Sequence, residues 1–218
     1  MHFYDSSLII TKDGLHCQVY SNEHPEGYII VKPKYIPTEK IFSDALPYRF
    51  IMGKKVNRLD LWVDKDALKK YIGDFARAYP HYIIKSDVHE KDLFLFAVPK
   101  DYIEKVYFPR QGLRELMSIP YKDLDEHLKT VVELITFLLR SNLKLEDIGV
   151  TYSTLMGHYS ENMSDINIVV YGKDKFWDLM KFLEENNHKD LRWKTYEEWE
   201  ALYKKRNRNI IHEKEIYI

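Results

Sequence analysis

Cysteine and glutamine are nearly absent from this sequence. Cys17 is the single cysteine among 218 residues, and only two glutamines occur. One cysteine cannot form an intrachain disulfide, and it cannot supply a cysteine-based metal site. The shortage of thermolabile residues, beside abundant Lys, Glu, Ile and Tyr, indicates a thermophilic source.

Long apolar runs are also missing. No stretch approaches the roughly 18 apolar residues that a membrane span requires. The N-terminus, Met-His-Phe-Tyr-Asp, lacks the basic region and apolar run of a signal peptide. We therefore expect a cytoplasmic protein that has no membrane partner.

Neither sign of charge dominates the chain. The 33 basic and 34 acidic residues leave a formal net charge of −1. This balance argues against a protein coated with nucleic acid over its whole surface, and it leaves a local basic patch open. With 45% hydrophobic and 31% charged residues, the composition is that of a folded globular protein.

Strand patterns and one helix fill the first hundred residues. Runs rich in Val, Ile and Tyr predict strands at Gly14–Tyr20, Tyr28–Tyr35, Arg58–Val63, Tyr82–Lys85 and Leu93–Val98. Asp64 or Asp66 is expected to cap a helix that Pro80 ends. We expect the aromatic residues here to lie in the core or half-buried in a sheet, since a nucleic-acid stacking platform needs them exposed.

The second half of the chain combines helices and strands differently. A continuous apolar face predicts a helix at Lys122–Arg140. Strands are expected at Asp147–Thr151 and Asp165–Tyr171, adjacent in one mixed sheet. The sequence thus predicts an α+β protein, with a β-rich domain at 1–115 and a mixed-sheet α/β domain at 116–218.

The most informative segment is Gly149–Gly172. Tyr152-Ser153 follows a predicted strand directly, and Asp165-Ile166-Asn167 comes eleven residues later. This arrangement resembles the DNA polymerase β-like nucleotidyltransferases, whose strand leads into a Gly-Ser turn, a helix, and a second strand bearing Asp-x-Asp. The chain is also similar to an archaeal group of predicted nucleotidyltransferases that carry a β-rich N-terminal domain, at Asp13-Gly14-Leu15, His24-Pro25, Lys34–Pro37, Lys122–Arg140 and Gly172–Trp177.

The resemblance implies Mg²⁺-dependent transfer of a nucleotidyl group from a nucleoside triphosphate. Asp165 and Asn167 stand at the catalytic, metal-binding places, and Tyr152 and Ser153 stand at the nucleotide-binding place. Residues i and i+2 of a strand share a face, so two carboxylates there can hold a pair of Mg²⁺ ions. A glycine before the serine lets backbone N–H groups approach the triphosphate.

The sequence departs from that pattern in three ways. Tyr152 replaces the glycine, Asn167 replaces the second carboxylate, and no later strand supplies a third. An amide offers Mg²⁺ an oxygen but no charge. We therefore expect a nucleotidyltransferase fold with weak or no catalysis, in which Asp165 binds Mg²⁺ weakly. The alternative is an active enzyme with an unknown acceptor, in which Glu161 or Asp174 replaces the missing carboxylate.

The partner of such a protein stays open between a nucleotide, a nucleic acid and another protein. The densest basic run supplies four candidate phosphate contacts, Lys204, Lys205, Arg206 and Arg208. Lys54, Lys55 and Arg58 would extend this run if the fold brings them together. The simpler interpretation is a solvated helix end, where the helix dipole favours cations.

Overall fold

The computed structural model describes residues 2–51, 53–59, 64–85, 94–161, 163–189 and 191–206. The strands are β1 (Leu8–Thr11), β2 (His16–Val19), β3 (Tyr28–Pro37), β4 (Tyr48–Ile51), β5 (Lys54–Arg58), β6 (Ile83–Lys85), β7 (Phe94–Pro99), β8 (Ile103–Tyr107), β9 (Ile148–Val150) and β10 (Ile168–Val170). The helices are α1 (Lys65–Ala78), α2 (Pro109–Ser118), α3 (Glu126–Leu138), α4 (Tyr152–Met156), α5 (Lys173–Glu185) and α6 (Tyr196–Arg206). This combination confirms the predicted α+β class.

The chain divides into two compact units. Met1–Leu8 with Lys105–Arg192 forms the first, here called the helical unit, and Ile9–Glu104 with Trp193–Ile218 forms the second, the sheet unit. The passage from the sheet unit to the helical unit lies between Glu104 and Lys105. The predicted domains, 1–115 and 116–218, stay a prediction. Within the described ranges, no helix is both long and apolar enough to cross a membrane.

A large antiparallel sheet organises the sheet unit. Its strands follow the order β4-β5-β3-β2-β1-β8, with β7 paired to β3 and β6 paired to β7. The ten-residue β3 is the central element, because it pairs with β2, β5 and β7 along different parts of its length. Its side chains alternate between buried and half-buried positions, as expected for a strand with one face in the core.

Helix α1 begins and ends where the sequence predicts. The Asp64 carboxylate accepts hydrogen bonds from the backbone N–H groups of Asp66 and Ala67, so Asp64 is the cap. Tyr71 and Phe75 are the buried residues of the helix, and Phe75 packs edge-on against Phe96 of β7 at 5.3 Å between ring centroids.

Four of the five predicted strands in this part of the chain overlap an observed one: β2, β3, β6 and β7. For the fifth, predicted at Arg58–Val63, β5 ends at Arg58, and residues 60–63 lie outside the described ones. Three of the five residues in β5 are charged, so an apolar pattern could not indicate that strand.

Helix α3 supplies the largest share of the helical unit's core. Val131 and Ile135 are fully buried, together with Ile148 of β9. The helix starts after Asp125, whose carboxylate accepts from the N–H of Leu128, and a short 3₁₀ turn precedes it at Tyr121–Asp123. The predicted helix at Lys122–Arg140 is therefore confirmed in its centre, with shorter ends.

Strands β9 and β10 are neighbours, as predicted, but they do not belong to a mixed sheet. They form a two-stranded antiparallel sheet in which Ile168 pairs with Val150 and Val170 with Ile148. A crossover between parallel strands needs a dozen or more connecting residues, usually a long helix. Here α4 has only five residues and ends at Gly157 in the left-handed region, φ 69°, so the chain doubles back.

Candidate functional site

The β9–β10 hairpin brings the two parts of the proposed motif to one end. The backbone N–H of Thr151 donates to the carbonyl of Asn167 at 3.0 Å, one position beyond the Ile168–Val150 pair. Tyr152 and Asn167 therefore lie at the same end of the hairpin. The Thr151 hydroxyl also donates to the Ser6 carbonyl at 2.7 Å, which ties the N-terminal segment to this end of the hairpin.

Asp165 and Asn167 precede β10 instead of lying in it. The predicted strand at Asp165–Tyr171 is wrong at its start, since pairing begins at Ile168. The Asn167 side-chain amide donates to the Asp165 carbonyl at 3.3 Å, a local bond of the kind that competes with a strand ladder. The rule that residues i and i+2 of a strand share a face therefore does not apply to Asp165 and Asn167. Asp165 is exposed and Asn167 is half-buried.

Tyr152 adopts a backbone conformation that favours glycine. Its φ is 55°, in the left-handed region. A residue with a side chain pays about 1–2 kcal/mol for this conformation. Tyr152 occupies the place where the resembling family has glycine, so the backbone shape is one that glycine adopts freely, while the side chain is a half-buried ring.

The carboxylates around the hairpin do not fit a two-metal site. Among the residues that the structure describes, no three His, Cys, Asp or Glu side chains are grouped to hold an ion. Asp165 is the single carboxylate of the motif, and the candidate replacements Glu161 and Asp174 are exposed. A pair of Mg²⁺ ions needs several charged oxygens around it. This donor set does not supply them.

A polar cluster at the start of α3, which sequence reasoning missed, holds the loop of the motif. His127 Nε2 lies 3.0 Å from the Thr154 hydroxyl in the buried interior. The Tyr159 hydroxyl donates to Asp125 Oδ2 at 2.5 Å, and the Tyr159 ring stacks on His127 with centroids 4.3 Å apart. The residues come from α3, α4 and the following loop. Asp125 was identifiable as a helix cap, but nothing local indicated its tyrosine partner.

These contacts shift two pKa values in opposite directions. Burial alone would raise the pKa of Asp125, but the hydrogen bonds from Tyr159 and the Leu128 N–H outweigh it, so the pKa is lowered. Burial and the hydrogen bond to Asp125 raise the pKa of Tyr159 to about 12. Near neutral pH Asp125 is therefore ionised and Tyr159 is protonated, so the hydrogen bond between them is maintained.

The sheet unit contains a second cluster of titratable groups, around Asp13. The Tyr82 hydroxyl donates to Asp13 Oδ2 at 2.7 Å, and His81 Nε2 lies 3.2 Å from the same oxygen. The Lys40 ammonium is 3.5 Å from Asp13 Oδ1. Burial would raise the pKa of Asp13, but these hydroxyl, imidazole and ammonium groups together lower it.

The basic run predicted to contact phosphate lies at the end of α6. Lys204 and Lys205 are exposed on its last turns, and the Lys204 ammonium is 3.5 Å from the Glu200 carboxylate one turn earlier. The side chain of Arg206 and all of Arg208 lie outside the described residues. An i,i+4 ion pair on a solvated helix is the ordinary arrangement for such lysines.

Comparison with known proteins gave no match. No family model matches the chain, no curated protein matches it, and no solved structure matches it. The resemblance of Gly149–Gly172 to the nucleotidyltransferases therefore stays a hypothesis from the sequence, and the function must be argued from the geometry of the site.

Proposed function

We propose that this protein is a nucleotidyltransferase-like protein that binds Mg²⁺-nucleotide weakly and transfers no nucleotidyl group at a useful rate. One observation carries the proposal. At the motif end of the hairpin, a single exposed carboxylate, Asp165, stands beside an amide, Asn167, whose N–H₂ group is turned to a backbone carbonyl.

The electrostatic consequence is large. Two metal ions stabilise the attacking and leaving oxygens in this class of reaction, and each ion needs negative ligands. A lost ligand removes several kcal/mol of transition-state stabilisation, which lowers the rate by orders of magnitude. Mg²⁺ held by Asp165 alone would exchange easily with water, because one carboxylate neutralises only half of its charge.

The nucleotide side of the site supports the same proposal. The Tyr152 side chain stands where a triphosphate would need bare backbone N–H groups. Helix α4 has five residues, so few peptide dipoles align behind its N-terminus. Phosphate recognition at this turn is therefore expected to be weak in the natural sequence.

The test combines binding and transfer. Calorimetric titration with each of the four Mg²⁺-NTPs should give weak binding to the natural protein, and labelled nucleotide should not be incorporated above background. The double variant Tyr152→Gly with Asn167→Asp should bind about tenfold more tightly, because it restores phosphate access and a metal charge. Glu184→Ala removes an exposed carboxylate of α5 that has no part in the motif and is the control, with no effect expected.

Two results contradict the proposal in different ways. Transfer of labelled nucleotide by the natural protein, lost in Asp165→Ala and kept in Ser164→Ala, would establish an active enzyme. If neither the natural protein nor the double variant binds any nucleotide, the likeness to nucleotidyltransferases carries no function in this chain.

A further inference from the structure

Three exposed aromatic rings surround a lysine at the edge of the large sheet. Phe42, Tyr48 and Phe50 are 44%, 56% and 70% exposed. The Lys55 ammonium lies 4.2 Å from the centre of the Phe42 ring and 4.4 Å from that of Tyr48. Phe50 is directly opposite Lys55 in the β4–β5 register, and β4 is the terminal strand of the sheet path. These four residues are called the aromatic–lysine patch.

Buried hydrogen bonds hold the patch in place. Asn57 on β5 is fully buried, and its side chain accepts from the Ser43 N–H and donates to the carbonyls of Ser43 and Leu46. The Thr38 hydroxyl donates to the Lys55 carbonyl at the other end of the same loop. The loop that carries Phe42 is therefore tied to β5, so the rings need little ordering before a ligand binds.

The segment of the chain that carries the patch is strongly basic. Residues 28–58 contain seven Lys or Arg and two Asp or Glu, although the whole chain has a net charge of −1. Burial, followed by the neighbouring charges of Arg58, Lys32 and Arg49, lowers the pKa of Lys34 to about 8. Arg49 and Lys54 alternate with the patch residues Phe50 and Lys55 along their strands, so they lie on the other face of the sheet. The excess positive charge of the segment therefore acts at longer range, where it raises the local concentration of polyanions.

We propose that the aromatic–lysine patch binds single-stranded nucleic acid, with bases stacking on its rings and a phosphate contacting Lys55. Aromatic rings combined with a basic groove are how proteins bind single strands without strong sequence preference. Duplexes fit less well, because their bases are stacked on each other and cannot reach a ring.

The position of the lysine distinguishes this ligand from a protein partner. Lys55 lies between two rings at the centre of the patch, and lysine is depleted at the core of protein–protein interfaces. The proposal is independent of nucleotide binding at the β9–β10 hairpin, since it uses other residues in the other unit.

The binding experiment uses the full chain and fluorescence anisotropy. Labelled 20-nucleotide oligo-dT, oligo-U and a mixed-sequence duplex are titrated at about 50 and 200 mM salt. Both single strands should bind more tightly than the duplex, and binding should weaken with salt. A clear difference between oligo-dT and oligo-U identifies DNA or RNA as the preferred form.

Substitutions locate the interaction on the patch. Phe50→Leu keeps an apolar strand residue but removes the ring, and it should weaken single-strand binding about tenfold. Tyr48→Ala combined with Phe50→Ala should weaken it about a hundredfold, and Lys55→Gln should reduce the slope of log affinity against log salt by about 0.7. Circular dichroism checks that each variant is folded.

Two matched controls lie outside the patch. Tyr20→Ala removes a ring that is 65% exposed in the same unit. Lys105→Gln removes a lysine whose ammonium lies 4.5 Å over the Tyr107 ring. Neither should change binding or its salt dependence.

Several outcomes would overturn the proposal. Absence of single-strand binding at low salt does so, as does equal binding of the duplex, or a folded Phe50→Leu variant that binds like the natural protein. Concentration-dependent self-association that disappears in the Tyr48→Ala, Phe50→Ala variant, without nucleic-acid binding, would assign the patch to a second copy of the chain.

Discussion

Each of the two units contains an aspartate, a tyrosine and a histidine in contact. In both, the tyrosine hydroxyl donates to the aspartate, Tyr82 to Asp13 and Tyr159 to Asp125. In both, the histidine ring lies on that tyrosine, with centroids 4.2 Å apart for the first trio and 4.3 Å for the second. The trios differ in the second contact of the histidine.

That difference gives the trios different roles. His81 turns to the same Asp13 carboxylate that also attracts Lys40, so the sheet unit's trio is part of a charge cluster. His127 turns instead to the hydroxyl of Thr154 in α4, so the helical unit's trio links α3 to the motif loop. The same three residue types thus neutralise charge in one place and position a loop in the other, and residue type alone does not distinguish the two.

The substitution with the largest expected effect, Gly149→Ala, should destabilise the helical unit. A Cβ added to Gly149 would lie 2.6 Å from Pro109 Cβ and 2.7 Å from its carbonyl carbon. Because backbone must move, Gly149→Ala should cost about 3 kcal/mol of unfolding free energy. Urea denaturation measures the loss, and hydrogen exchange should place it in the helical unit.

Gly112→Ala is the matched control in the same unit. Its Cβ would meet only the end of the Leu155 side chain, which can rotate away. Alanine also favours the helix by about 1 kcal/mol over glycine. If Gly112→Ala lowers the free energy of unfolding as much as Gly149→Ala does, the close approach of Gly149 to the Pro109 backbone is not the cause of the loss.

A smaller effect compares the two aspartates through pH. Both have pKa values below the ordinary 3.8, so each stabilises the fold above that pH and loses this contribution as the pH falls through its folded-state pKa. Asp13→Asn and Asp125→Asn remove the charge and keep hydrogen-bonding capacity. Each should flatten the decline in unfolding free energy between about pH 5 and pH 2.

The Asp13 variant should lose more, about 1–2 kcal/mol near neutral pH, because its carboxylate has a lysine and a histidine beside it. Asparagine caps helices as well as aspartate does, so Asp125→Asn should keep α3 intact. Acid unfolding curves that coincide with the natural protein's for both variants would contradict the charged role of these trios.

The smallest effect concerns the turn that the trio positions. At Tyr152, with φ 55°, glycine should be more stabilising than alanine by about 1 kcal/mol, the reverse of the usual helix preference. Thermal unfolding of Tyr152→Gly and Tyr152→Ala measures this difference. At Ser153, the next residue, the usual helix preference should hold, so Ser153→Ala should be more stable than Ser153→Gly. If the alanine variant is more stable than the glycine variant at both positions, the backbone conformation of Tyr152 does not favour glycine.

Local patterns in the sequence determined much of the fold. The apolar face of α3 and the Asp64 cap of α1 are confirmed, because helix periodicity and capping depend on residues within a few positions of each other. Adjacency of β9 and β10 is also confirmed, although 17 residues, 151–167, separate the two strands. The candidate site residues of the motif also lie at one end of that hairpin.

Tertiary structure alone decided how those residues are presented. Asp165 lies outside the strand, since the pairing of β10 begins at Ile168. Phe50 is exposed because β4 is the last strand of the sheet path, although its residue type predicts burial. The Tyr82–Asp13 contact joins residues 69 positions apart. Strand order and partner choice depend on burial summed over distant parts of the chain, which no local pattern contains.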